Sequence, residues 1–139
     1  MNMLKSILLI DDDEATNFLH KMVIKKLNCT NDVIVKTNGQ EAIDYLKTEK
    51  DGVFPQPSLI LLDINMPIMN GWEFLQEYKK LEENQMAETV IVMLTTSLNP
   101  DDKARALGFT QINDFKSKPL TPDGLRDILK SFFMFPDDI

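Results

Sequence analysis

The chain has 139 residues, of which 43% are hydrophobic and 27% charged, so its composition indicates one globular domain and excludes a disordered polypeptide. Its 15 basic and 22 acidic residues leave a net charge of −7, which argues against electrostatic binding to nucleic acid or to anionic membrane. The lone cysteine excludes an intramolecular disulfide and a cysteine metal cluster, and we expect Cys29 to be a small buried hydrophobic residue.

The first predicted element is a strand at Ile7–Ile10, whose apolar run without alternation is typical of a strand buried on both faces of a parallel sheet. The run ends in three aspartates, is too short for a signal peptide and lacks a small-residue cleavage site. Nothing in the chain approaches the roughly 18 apolar residues of a membrane span. We therefore expect a cytoplasmic protein that does not bind membranes.

A helix is predicted directly after these aspartates, because apolar residues recur there at helical spacing. The stripe that we expect to face the core consists of Ala15, Phe18, Leu19, Met22, Val23 and Leu27. His20 falls outside the stripe, so we expect it to be an exposed helical residue and not a metal ligand. A contact between His20 and a partner is the alternative.

Strands and helices then alternate along the rest of the chain. Buried strands are predicted at 33–35, 59–62 and 90–94, and a weaker strand at 112–115 is predicted mainly from its place in the alternation. Helical spacing recurs at 42–46 and 74–81. The connection at 47–57, with one glycine and two prolines, is predicted to be a surface loop.

The last two predicted helices carry clear end signals. Asn99 and Thr121 are the predicted N-caps, and each precedes a proline suited to the first helical position. The helix after Asn99 is predicted over Pro100–Leu107, with Gly108 as its stop. The apolar stripe of the last helix consists of Leu125, Ile128, Leu129, Phe132 and Phe133. Among Phe132, Phe133 and Phe135, we expect core residues and one partly exposed ring, with a partner contact by Phe135 as an alternative. We expect 134–139 to be a tail.

Five repeats of strand and helix predict an α/β fold, in which a doubly wound five-stranded parallel sheet lies between two layers of helices. No internal repeat and no linker divides the chain. We therefore predict one domain over 1–139, with its core at about 5–133.

Polar residues follow the buried strands at the points where these strands end. Asp11 and Asp12 follow the first strand, Asp63 the third and Thr95 the fourth. The carboxyl ends of parallel strands meet at one edge of a sheet, where ligands bind. Clustered carboxylates repel one another, and a site of oxygen ligands favours Mg²⁺, with Mn²⁺ or Ca²⁺ as substitutes. With the ammonium of Lys118, these groups suit phosphoryl transfer to an aspartate.

From about residue 5 to residue 133, the sequence resembles the receiver domain of two-component response regulators. Four blocks carry the resemblance: ILLIDDD at 7–13, LDINMPIMNG at 62–71, VMLT at 92–95 and KPL at 118–120. The second block contains the specific pattern Asp-x-x-Met-Pro-x-Met-x-Gly. The resemblance implies the flavodoxin-like strand order 2-1-3-4-5 and a receiver of the stand-alone, single-domain type.

The resemblance also implies a phosphoacceptor and a metal site. Asp63 corresponds to the phosphoacceptor, and Asp12 to the direct ligand of a Mg²⁺ ion. Asp11 would assist through water or as a second carboxylate, with Asp63 itself in the metal site. The backbone carbonyl of Asn65 would be a further ligand.

The remaining implied roles concern the phosphoryl group and the switch. The Thr95 hydroxyl would bond a phosphoryl oxygen, and Lys118 would bridge that group and Asp63. The Lys118–Pro119 bond is expected to be cis. Phe115 occupies the position of the aromatic switch, whose ring turns inward when phosphorylation draws Thr95 toward the phosphoryl group.

The sequence departs from the family pattern at two places. Thr96 stands where the family often has Ala or Gly, and its extra atoms are expected to crowd the phosphoryl group or to hinder the attacking water. Gln111 and Ile112 replace a small Gly-Ala pair before the fifth strand, which is expected to alter the output face. Neither departure removes a reactive group.

The resemblance implies a signalling switch that accepts a phosphoryl group from the phosphohistidine of a sensor kinase or phosphotransfer protein. It would signal through protein contacts on the face of the fourth predicted helix, fifth strand and last helix, because no output domain follows. It would not be an enzyme beyond self-phosphorylation and slow self-dephosphorylation. The alternatives are a phosphorelay intermediate, an unphosphorylated scaffold, and a Mg²⁺-dependent aspartyl-phosphate hydrolase. The hydrolase is disfavoured because Asn65 stands where such enzymes usually have a carboxylate. Phosphorylation-dependent homodimerisation stays open.

Overall fold

A parallel sheet of five strands forms the centre of the computed structural model, which describes residues 3–86, 88–96 and 99–137. The strands are β1 (Ile7–Ile10), β2 (Val33–Lys36), β3 (Leu59–Asp63), β4 (Val90–Thr95) and β5 (Ile112–Ser117). The helices are α1 (Glu14–Leu27), α2 (Gly39–Leu46), α3 (Gly71–Tyr78), α4 (Glu83–Met86), α5 (Pro100–Leu107) and α6 (Pro122–Phe133).

The strand order is β2-β1-β3-β4-β5, and all neighbouring strands are parallel. This order confirms the predicted doubly wound sheet. Every residue of β1, β3 and β4 is buried, whereas every residue of the edge strand β2 is only partly buried. The apolar runs at 7–10, 59–62 and 90–94 therefore mark strands that are covered on both faces. The predicted burial of the strand at 33–35 is wrong, because β2 lies at the edge of the sheet.

Helices cover both faces of the sheet. The sheet therefore separates the hydrophobic core into two clusters, one on each face. On one face, Phe74 and Leu75 of α3 pack with Leu46 of α2 against the sheet. On the other face, Leu125 of α6 and Ile24 of α1 belong to the second cluster. Cys29 is 1% exposed in this second cluster, which confirms its prediction as a small buried residue.

The predicted end signals of the last two long helices are confirmed. The Asn99 side chain accepts a hydrogen bond from the Asp101 N–H, and Thr121 Oγ1 accepts one from the Gly124 N–H. Gly108 is the C-cap of α5. These signals act within one helical turn, so they do not depend on the rest of the fold.

Within the residues that the structure describes there are six helices, one more than the alternation predicts. The additional element, α4, spans only four residues between α3 and β4, and none of its residues is buried. An element of this length carries no apolar stripe for sequence periodicity to reveal. Within the described part of the chain, no helix is long and apolar enough to cross a membrane.

The predicted core stripe of α1 is wrong for most of its members. Phe18, Leu19 and Met22 are 62%, 51% and 55% exposed, and Ala15 is also exposed. The helix instead turns a more polar side inward. Its buried residues are Asn17, His20 and Ile24.

Two single-residue predictions also fail. His20 is 2% exposed and not a surface residue, because it lies beneath the connection between β5 and α6. Phe135 was predicted to lie in the tail, but it is 8% exposed, because the chain after α6 folds back onto the second core cluster. Its N–H donates to the carbonyl of Leu129. Residues 138 and 139 of the predicted tail lie outside the described residues.

Candidate functional site

The side chains predicted to form the site come together at the carboxyl edge of the sheet. Ile10 is in register with Leu62, so Asp11 and Asp63 leave their strands side by side. Carboxylate oxygens of Asp11, Asp12 and Asp63 all lie within 4.8 Å of one another. Residues that are far apart in the sequence thus form one acidic pocket, as the strand-end pattern predicts.

Lys118 reaches into the acidic pocket from the connection after β5. Its Nζ lies 2.5 Å from Asp11 Oδ2 and 2.9 Å from Asp63 Oδ1. All three side chains are about one-tenth exposed or less, at 10%, 6% and 10% for Lys118, Asp11 and Asp63. The ammonium therefore bridges two carboxylates in a setting where charge interactions are screened less than at the surface.

The buried charges shift the proton affinities of the bridged groups. The pKa of Asp63 is raised, first because burial disfavours its charged form and further by the charge of Asp11, while the hydrogen bond from Lys118 opposes this shift. Burial alone would lower the pKa of Lys118, but its hydrogen bonds and charge interactions with Asp11 and Asp63 outweigh burial and raise it. Lys118 is thus held as a cation. A second cation bound beside Asp63 would, like Lys118, favour the ionised form of the Asp63 carboxyl group.

Thr95 is the last residue of β4 and is 2% exposed. Its carbonyl accepts a hydrogen bond of 2.8 Å from the Lys118 N–H. The backbone that carries Lys118 is thereby tied to the end of β4. The next bond, between Lys118 and Pro119, is cis, as expected.

Phe115, the predicted switch residue, is half-buried on β5. It packs against the core cluster that contains α2 and α3, and it lines a groove of about 400 Å³ beside α5. Of the departures from the family pattern, Thr96 is exposed after β4, and Gln111 is half-buried before β5. The effect predicted for Thr96 on the phosphoryl group stays a prediction. So does the effect predicted for Gln111 and Ile112 on the output face.

The loop after Asp63 carries Asn65, whose backbone carbonyl is the remaining predicted metal ligand. Asn65 is exposed, and the loop closes where the Gly71 N–H donates to the carbonyl of Ile64 at 2.8 Å. A Cβ atom on Gly71 would collide with the carbonyl oxygen of Asp63. The glycine of the Met-Pro block is therefore needed because α3 begins directly against the backbone of Asp63.

Asp13, which borders the pocket, serves as the N-cap of α1. Its side chain accepts a hydrogen bond from the Thr16 N–H at 3.0 Å. The hydrogen bonds that the Asp13 carboxylate accepts from the hydroxyl and the N–H of Thr16 hold the pKa of Asp13 below its ordinary value. Asp13 is exposed and belongs to the helix end and not to the carboxylate cluster described above.

Two polar residues of α1 that the sequence analysis missed lie beneath the pocket. Asn17 Nδ2 donates to the carbonyl of Asp11 at 2.8 Å, and His20 Nε2 accepts from the Leu120 N–H at 3.0 Å. The signal that could have found them is their spacing with Ile24. The three residues recur at intervals of three and four along one side of the helix.

The oxygen-rich pocket fits a hard divalent cation. It supplies at least three carboxylate oxygens at close range, without a histidine or thiolate among them. Mg²⁺ prefers carboxylates, carbonyls and water as ligands. A cation here would also offset the repulsion among carboxylates that the single ammonium of Lys118 leaves uncompensated.

Comparison with known proteins finds a match to one domain family along most of the chain. Residues 7–130 match the family model of the response regulator receiver domain. The chain is 37% identical over 122 residues to two-component response regulator 24 of Arabidopsis thaliana, with 88% of this chain and 79% of that protein covered.

Solved structures agree with this comparison. A two-component response regulator from Cytophaga hutchinsonii superposes with a TM-score of 0.81 at 30% identity, covering 96% of this chain and all of that one. The phosphorylated cyanobacterial phytochrome response regulator RcpA superposes with a TM-score of 0.74 at 27% identity, covering 93% of this chain and 94% of that chain.

Proposed function

Because the chain belongs to the family of response regulator receiver domains, which are phosphoacceptor signalling switches of two-component systems, we propose that Asp63 is its phosphoacceptor. The observation that carries this assignment is the 2.9 Å contact between Asp63 and the Lys118 ammonium at the edge where Asp11 and Asp12 also lie. Receiver domains are generally switches and not enzymes. Self-phosphorylation from a phosphodonor and slow self-dephosphorylation are part of this proposal.

Asp63 and Lys118 divide the proposed reaction between them. A carboxylate oxygen of Asp63 attacks the phosphorus of a phosphohistidine and forms a P–O bond as the P–N bond breaks, whose electron pair returns to the imidazole. Lys118 neutralises negative charge on the phosphoryl oxygens and orients Asp63. The Thr95 hydroxyl, at the end of the adjacent strand, donates to a phosphoryl oxygen.

Receiver domains bind Mg²⁺ in an acidic pocket, and this chain has such a pocket at Asp11, Asp12 and Asp63. We assign Asp12 as the direct carboxylate ligand, with Asp11, Asp63 and the backbone carbonyl of Asn65 completing the site from the protein. When bound, Mg²⁺ supplies charge stabilisation to the phosphoryl oxygens in transfer. Mn²⁺ has similar ligand preferences and is expected to substitute.

Incubation with Mg²⁺ and acetyl phosphate is expected to add one phosphoryl unit to each chain, as measured by intact mass. EDTA is expected to prevent this gain, because the acidic pocket is then left without its neutralising cation. Adding Mn²⁺ after EDTA removal should restore it. Labelling that proceeds equally well with EDTA would contradict the assigned metal role. Many turnovers of acetyl phosphate per chain would instead indicate a hydrolase.

The natural donor is proposed to be a histidine kinase or a histidine phosphotransfer protein, which docks on the exposed apolar side of α1. This docking surface consists of Ala15, Phe18, Leu19 and Met22. It begins two residues after the N-cap Asp13, so a partner bound there lies beside the acidic pocket. Contiguous exposed apolar side chains of this kind mark interaction sites.

The docking surface predicts a difference between protein and small-molecule donors. Phe18→Ser is expected to slow transfer about tenfold from a phosphohistidine protein that labels the parent chain, because the exposed ring is a contact anchor. Labelling by acetyl phosphate should stay unchanged. Leu107→Ser, at an 82% exposed apolar residue of α5, is the matched control. An equal loss with both donors would place the effect in the pocket and contradict the docking role.

We propose that the output face is formed by α5, β5 and α6. Ala106 is the one buried residue of α5, so few apolar contacts hold this helix. Elements with little burial are those that rearrange at low free-energy cost. Phe115 lines the groove between α5 and β5 and is therefore placed to report events at Thr95 to a downstream protein, or to a second copy of the chain.

A further inference from the structure

Helix α1 places an imidazole against the loop that carries Lys118. His20 is 2% exposed, and its Nε2 accepts a hydrogen bond of 3.0 Å from the Leu120 N–H, 100 residues later in the sequence. Leu120 is itself 4% exposed and belongs to the core cluster that includes α6. The hydrogen bond is therefore buried and joins α1 to the connection between β5 and α6.

The loop between β5 and α6 is held from two sides. The Lys118 N–H donates to the carbonyl of Thr95 at 2.8 Å, and two residues later the Leu120 N–H donates to His20. The first bond fixes the loop to β4, and the second fixes it to α1. Between these two bonds lies the backbone from which the Lys118 side chain extends to Asp63.

The charge state of His20 suits its role as an acceptor. An imidazole nitrogen accepts a hydrogen bond only when it carries no proton, so this geometry requires the neutral ring with its proton on Nδ1. The pKa of His20 is lowered, mainly by burial and further by the charge of Lys118, while the charge of Asp11 opposes this shift. The neutral ring is thus the favoured form around pH 7.

We infer that His20 is a positioning residue for phosphoryl transfer, which holds the backbone at Leu120 so that the Lys118 ammonium stays in contact with Asp63. This inference rests on the proposed function of Asp63 and Lys118. An apolar residue in place of His20 would leave the buried Leu120 N–H without its acceptor. The loop would then shift to bring this N–H to water, and Lys118 would move with it.

Three variants separate the hydrogen bond from the volume of the side chain. His20→Gln places an amide oxygen at the same distance along the side chain as Nε2, so it keeps an acceptor for the Leu120 N–H. His20→Asn places the oxygen too close to the backbone of α1, and His20→Met fills the space without an acceptor. The rate of labelling by acetyl phosphate at saturating Mg²⁺ is expected to fall about tenfold or more in the Met and Asn variants. The Gln variant should stay close to the parent.

Three further measurements distinguish positioning from a general loss of structure. The affinity for Mg²⁺, measured by calorimetry, should not fall in any of the three variants, because a displaced Lys118 ammonium takes positive charge away from Asp11 and Asp63. Amide hydrogen exchange at Leu120, followed by NMR, should accelerate in the Met and Asn variants and not in the Gln variant. Melting temperatures of the variants provide the check on global stability.

Equal labelling by the Met variant and the parent would overturn the inference, as would equal losses in all three variants. A parallel fall in Mg²⁺ affinity would also overturn it, because it would indicate a disturbed pocket. If the parent chain itself is not labelled, the proposed function fails, and exchange at Leu120 then decides whether His20 holds this loop. Unchanged amide exchange at Leu120 in the His20→Met variant would by itself overturn the inference that His20 holds this loop.

Discussion

Replacing Asp63 with Asn is expected to abolish phosphorylation, lowering the rate of labelling by about 10³-fold or more. The amide of Asn is not a nucleophile, and it cannot form the acyl phosphate that the carboxylate forms. The fold should persist, because burial already disfavours the charged form of Asp63 and the substitution removes its repulsion with Asp11. Intact mass after incubation with Mg²⁺ and acetyl phosphate provides the measurement.

Asp13→Asn is the matched control for this experiment. It makes the same chemical change at an aspartate that borders the pocket, and Asn also serves as an N-cap, so α1 should stay intact. This variant is expected to be labelled like the parent. If Asp63→Asn were labelled as readily as Asp13→Asn, another residue would be the phosphoacceptor, and the assignment of the site would be wrong.

Replacing Lys118 with Met is expected to have the second largest effect, and it should act on both catalysis and stability. Labelling is expected to slow by about 10²–10³-fold, because no ammonium then stabilises the charge on the phosphoryl oxygens. The free energy of unfolding in Mg²⁺-free buffer should fall by about 3 kcal/mol, since two buried carboxylates lose their partner. Denaturant titration measures this change, and added Mg²⁺ should recover part of the lost stability.

Lys116→Met provides the comparison for Lys118→Met. It removes the same charge two residues earlier in the chain, but Lys116 contacts Asp114 at 3.5 Å in a pair whose side chains are 25% and 37% exposed. Exposed pairs contribute little to stability, so this variant should label and unfold like the parent. If both variants lost equal stability, net charge would explain the result, and the bridge to Asp11 and Asp63 would not.

The amino-acid sequence was sufficient to predict the sheet and the composition of its functional edge. Continuous apolar runs identify the strands of a parallel sheet, and parallel strands have their carboxyl ends at one edge. The positions of Asp11, Asp63 and Thr95 follow directly, because each stands at the end of such a run. The caps at Asn99 and Thr121 were predictable for a similar reason, since their hydrogen bonds close within one turn.

Only the tertiary structure decided which side of α1 faces inward. The apolar spacing of Phe18 and Met22 favoured one side, yet the buried side carries Asn17 and His20. Phe135 was misjudged in the same way, because its burial depends on the chain folding back after α6. The physical reason is that the burial of a side chain depends on which residues pack against it in the folded chain. A buried N–H at Leu120 needs an acceptor, and a local pattern of hydrophobicity does not register a partner 100 residues away.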